Sequence, residues 1–194
     1  MRHTTAASGQ EFFLVVHGET DAHANEKICG GGWDIPLNEE GLAQARKLSR
    51  VFQKDKLGVR VIVSSPLLRC IQTTDVLHDK LKVKVRVISG LAERHLGQWE
   101  RMKVSEVAGF SPLVEQIPGG ESLNRFKARV QEAINHILET GSANKGAALL
   151  VTHGFFGATL LGLLGLGEQK LDRCTLYRFW RESATSPWQF EEMI

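Results

Sequence analysis

A chain of 194 residues that is 42% hydrophobic and 24% charged, with a formal net charge of +2, can bury one core of ordinary domain size. That balance excludes a disordered tail and carries no charge excess of the kind that holds polyanions, so no nucleic-acid partner is expected. The three cysteines, Cys29, Cys70 and Cys174, are odd in number and lack C-x-x-C spacing. This argues against a disulfide framework or a zinc site and for a reducing, cytoplasmic setting.

In chain order, the polar start MRHTTAASGQ lacks the apolar stretch of an export signal and reads as a flexible lead-in, over 1–10, to a single domain spanning 1–194. Phe12 to Val16 are five apolar residues in a row, the pattern of a strand buried on both faces, and they end at His17-Gly18. His17 therefore sits at the carboxyl end of a core strand, where open α/β sheets bind ligands. A lone histidine there is as easily structural as catalytic, but Ala147 to Val151 is a second apolar strand. It too ends close to a His-Gly pair, His153-Gly154.

The loop after the first strand carries Asp21, His23, Asn25 and Gly30-Gly31-Gly32. The glycines are either a cradle of backbone amides for an anion or simply a flexible turn. Asn38 is an N-cap, followed by Glu39 and Glu40, and the spacing of Leu42, Ala45, Leu48 and Phe52 predicts a helix to about Lys54. Val59 to Val63 is a short strand that runs into Ser65-Pro66-Leu67-Leu68-Arg69. Serine before proline predicts a helix start with the hydroxyl as cap and proline first, which puts Arg69 in the first turn. There it can grip a phosphate bidentately or pair with a surface acid.

Lys82 to Ile88 alternates basic and apolar residues, predicting a half-buried strand near a sheet edge with its charges solvated. The segment Leu91 to Glu100 is rich in titratable groups, and Glu93 is its general-acid candidate. Pro118 to Ser122 opens a long amphipathic helix, with Leu123, Phe126, Val130, Ile134 and Ile137 on one face and Gly141 at its end. The apolar run Gly154 to Gly167, about 14 residues, is too short for a membrane span of ~20 and reads as a buried helix. Cys174 to Trp180 is a strand, and Trp180 and Trp188 are packing residues.

Together, Leu14-Val15-Val16-His17-Gly18-Glu19-Thr20, Asp34 to Gly41 with Gln44-Ala45, Ser65 to Thr73, Leu91-Ala92-Glu93 with Gly97 to Glu100, Pro118 to Ser122 and Val151 to Gly154 resemble the motifs of the histidine phosphatase superfamily, the phosphoglycerate-mutase-like proteins. The resemblance implies a three-layer α/β/α sandwich with a mostly parallel central sheet and a metal-free, cofactor-free site at the carboxyl ends of the strands. It implies that His17 attacks phosphorus, that Arg69 and His153 bind the transferred oxygens, that Glu93 protonates the leaving oxygen and that Thr20 adds a hydroxyl near the phosphate.

The resemblance also exposes departures. Its histidine motif begins with a phosphate-binding arginine where this chain has Val16, and losing one such donor costs on the order of a hundred- to a thousandfold in rate. Gly32 stands where many relatives have a second arginine, His23 where many have asparagine, and Arg101 where a glycine often follows Trp-Glu. Lys27, Arg94 or another cation would have to supply the missing charge. The expected function is a phosphomonoesterase acting on small phosphorylated metabolites through phosphohistidine, weakened by Val16. The alternative is an impaired relative that binds a phosphorylated ligand or partner without turnover. The compact length implies a phosphatase rather than a mutase, without nucleic-acid or membrane partners.

Overall fold

The computed structural model describes residues 9–54, 57–111, 113–142 and 146–194. Of the lead-in expected over 1–10, residues 1–8 lie outside the described residues, and Gln10 is not flexible lead-in but pairs in the first strand. Strand β1 (Gln10–Val16) and β4 (Ala147–Thr152) pair in parallel at the centre, with Val16 opposite Thr152. On one side β4 pairs in parallel with β2 (Val59–Ser64), and β2 with β3 (Lys84–Val87). On the other side β1 pairs antiparallel with β5 (Leu176–Arg181), and β5 with β6 (Gln189–Glu192). The sheet order is β3-β2-β4-β1-β5-β6.

The apolar runs split across the two faces with the period of two that a pleated strand imposes, broken only at Val59 to Val61, where the register of β2 on β4 shifts. Phe12, Leu14, Val61, Val63, Ala148 and Leu150 pack beneath α4 (Leu123–Ser142) and α5 (Gly154–Leu163). Phe13, Val15, Val59, Ile62, Leu149 and Val151 pack beneath α2 (Glu39–Ser49) and α3 (Leu68–Leu81). A short helix, α1 (Asp21–Ala24), opens the loop after β1. The result is the expected sandwich. No helix among the described residues is long and apolar enough to cross a membrane, and the three cysteines are free.

Local expectations fare unevenly. Asn38 caps α2 by accepting from the Gly41 N–H at 2.8 Å, and the chain continues as a 3₁₀ helix to Lys54. On the β3 edge the alternation slips, leaving Val87 54% exposed and Arg86 half-buried. Helix α4 runs through Gly141 to Ser142. The edge strand β6 carries no apolar pattern. A third apolar cluster, Ile28, Leu96, Val107 and Ile117, lies under the loops rather than the sheet.

The start of α3 differs most. Pro66 lies outside the helix and no side chain of its own N-cap residue, Leu67, bonds into it. The expected Ser65 cap is present in part, its hydroxyl accepting from the Leu67 N–H at 3.3 Å while lying 2.7 Å from His153 Nε2, and Asp34, from the loop after β1, accepts from the Leu68 N–H at 2.7 Å. A distant carboxylate thus satisfies a free helical donor and ties the glycine loop to α3. Asp34→Ala should cost about 1 kcal/mol in chemical denaturation, whereas a cap of no consequence would leave the midpoint unchanged.

Candidate active site

The register of the central strands assembles the site. His17 follows Val16, and its N–H donates to the Thr152 carbonyl at 3.0 Å; His153 follows Thr152 one strand over. Continuing each strand's alternation turns both imidazoles to the α3 side, with ring centroids 5.1 Å apart. Ser65 leaves β2 in the same row, its N–H donating to the Val151 carbonyl. Gly18 is required by close approach: a Cβ there would lie 2.4 Å from the Gly41 carbonyl oxygen.

Arg69, in the first turn of α3, is 1% exposed and reaches back under His17. Its Nε donates to His17 Nε2 at 3.1 Å, and its Nη groups donate to the carbonyls of Gly30 and Trp33 at 3.1 and 3.2 Å. The glycine run therefore serves through carbonyls. Two of its three amides are engaged, Gly31 N–H by the Arg94 carbonyl and Gly32 N–H by Glu100, so neither is turned to an anion.

His17 Nδ1 lies 2.7 Å from the Gly18 carbonyl. A carbonyl can only accept, so Nδ1 carries the proton and the lone pair falls on Nε2. Burial, then the positive charge of Arg69, holds the His17 pKa well below its usual value, and burial and Arg69 do the same to His153. Both rings are neutral near pH 7, as a nitrogen nucleophile requires.

Glu93 approaches from the opposite face of the sheet. Its carboxyl accepts from the Arg94, Phe155 and Phe156 N–H groups at 3.0, 3.0 and 3.1 Å, filling the free donors at the start of α5 that His153 leaves uncapped. Burial raises its pKa to about 7 against those hydrogen bonds, the range of a working general acid. His17 and Glu93 both line a cavity of about 500 Å³.

Of the five expected site residues, His17 and Glu93 line the cavity, while Arg69 and His153 are buried beside His17 behind its wall. Thr20 is buried too and turns its hydroxyl to His23 Nδ1 at 2.9 Å. Of the cations considered for the gap at Val16, Arg94 is excluded because it bonds the carbonyls of Glu121, Val114 and Glu115. Lys27 lines the cavity. Sequence reasoning left His23 without a role and did not find Arg173. The first lies 5.5 Å from His17, ring to ring, and its pKa falls to about 4 through burial and then Arg173; the second lines the cavity from a segment with no motif. Among the described residues no group of three or more His, Cys, Asp or Glu could hold a metal ion.

The pattern of the histidine phosphatase superfamily (branch 1) matches residues 12–179. The probable phosphoglycerate mutase GpmB of Enterobacter sp. (strain 638) is 30% identical, over 92% of this chain and 87% of its own. Among solved structures, a mycobacterial glucosyl-3-phosphoglycerate phosphatase in complex with VO3 superposes with a TM-score of 0.79 at 25% identity, over 94% of this chain and 98% of that one. The phosphoglycerate mutase of Bacillus anthracis str. Sterne superposes at 0.81 and 20% identity, over 97% and 94%, a likeness of fold alone. The match across nearly all of the folded chain, on a sheet that sets two histidines side by side, makes this protein a member of the histidine phosphatase superfamily, branch 1.

Proposed function

We propose that the protein is a metal-independent phosphomonoesterase that hydrolyses small phosphorylated metabolites in the cytoplasm through a phosphohistidine on His17. The observation that carries this reading is the pairing of a neutral, oriented nucleophile with a protonated acid across one cavity. His17 Nε2 attacks phosphorus as the P–O bond to the leaving group breaks, and Glu93 gives its proton to the departing oxygen. Arg69, and His153 held by Ser65, stabilise the charge on the phosphoryl oxygens. Glu93, now a carboxylate, takes a proton from water as that water's oxygen displaces His17 and releases phosphate.

The cavity wall favours one substrate class. Ile28, Val104, Phe110, Leu113 and Phe155 line it, which suits an apolar or aryl leaving group better than the carboxylate of a phosphoglycerate. This supports hydrolysis over mutase chemistry, although the curated relatives carry a mutase name. Ligand binding without turnover is the second reading, and Val16, which offers no donor, is what favours it.

With chelator present, the protein should hydrolyse naphthyl phosphate with a higher kcat/KM than 3-phosphoglycerate, and His17→Ala should lower turnover by about a thousandfold or more. Activity that survives His17→Ala would remove the mechanism; phosphate binding without activity in the parent would select the second reading. The pH profile follows from Glu93. Its raised pKa keeps the acid protonated up to about 7, so kcat/KM for alkyl phosphates should hold below that pH and fall about tenfold per unit above it. Glu93→Gln should be slow and lack this alkaline limb. A profile unchanged in Glu93→Gln would assign the acid elsewhere.

A further inference from the structure

The row of side chains at the carboxyl edge of the sheet does not end at His17. On the side of β1 away from β4, Val16 pairs with Arg173 in an isolated parallel bridge, and the Cys174 N–H donates to the Val16 carbonyl at 2.8 Å. The backbone thus seats Arg173 on one flank of His17 as β4 seats His153 on the other, and Arg173 lines the same cavity. Its Nη2 stands 3.6 Å from Glu19 Oε2, an ion pair too long for a hydrogen bond. Its Nε is buried with no hydrogen-bond partner, a costly state for a guanidinium unless an acceptor arrives.

A transferring phosphoryl group needs more positive charge than the resting site presents. The guanidinium of Arg69 is already spread over His17 Nε2 and two carbonyls, and His17 and His153 are neutral. We propose that Arg173 is a phosphoryl-binding residue: its guanidinium leaves Glu19 and grips the phosphoryl oxygens from the flank of His17 opposite His153. This rests on the phosphomonoesterase reading and supplies the donor that Val16 lacks. The pairing with Glu19 is part-exposed and too long for a hydrogen bond, so little holds the arginine there.

Binding of inorganic phosphate, followed by calorimetry beside steady-state hydrolysis of naphthyl phosphate, tests it in the parent, Arg173→Met, Arg173→Lys and Glu19→Gln. Arg173→Met should weaken phosphate binding at least about tenfold and lower kcat on the order of a hundred- to a thousandfold. Arg173→Lys should fall between, keeping the charge without the fork. Glu19→Gln should tighten phosphate binding by releasing the arginine. A merely structural pair predicts the opposite for that last variant, because removing either partner would then do the same harm. Phosphate bound by the parent and by Arg173→Met with equal affinity overturns the assignment while leaving the phosphatase reading intact. A parent that neither binds phosphate nor turns over esters removes both.

Discussion

The parallel pairing of β1 with β4 is the constraint on which the rest depends. It places two strand ends side by side, and because each strand alternates faces, His17 and His153 emerge on the same side, against the start of α3. A slip of one residue in that register would turn one imidazole to the other face and leave Arg69 beneath an apolar side chain. The flanking pairings extend the row, with Ser65 beyond β4 and Arg173 beyond β1. Glu93 comes from the opposite face, the one that Val16 shares with its bridge partner Arg173, and is held by the donors at the start of α5.

Electrostatics give the row its chemistry. Arg69 is a charge buried beneath two histidines, and it is tolerable because its fork is filled by Gly30, Trp33 and His17. Burial and then its charge keep both imidazoles neutral, with the guanidinium at His17 Nε2. Glu93 shows the converse, since burial outweighs three backbone donors and keeps the carboxyl protonated near pH 7. The proposed nucleophile is thus kept unprotonated and the proposed acid protonated at one cavity, by environment rather than by residue type.

Much of this was legible in the residues. The two apolar runs ending in His-Gly located the site, the helical spacing located α2 and α4, and the departure at Arg101 falls on a backbone position with φ of 76°, where glycine is the unstrained choice. What escaped was non-local. The Asp34 cap of α3, the carbonyl role of Gly30 and the loop cluster around Ile28 join segments that no period connects. Arg173 escaped for the same reason: its neighbour is Val16, far away in sequence, and a single charged residue before a strand carries no pattern. The edge strand β6, mostly exposed, offers no alternation to read.

The proposed intermediate is covalent, so it is tested by quenching the protein within its first turnovers on naphthyl phosphate and locating the phosphoryl group by peptide mass spectrometry and phosphorus NMR. One acid-labile phosphoryl group on His17 is expected, attached at Nε2 because Nδ1 is committed to the Gly18 carbonyl. Turnover with no phosphoenzyme, or with the group on Nδ1 or on another residue, would contradict it.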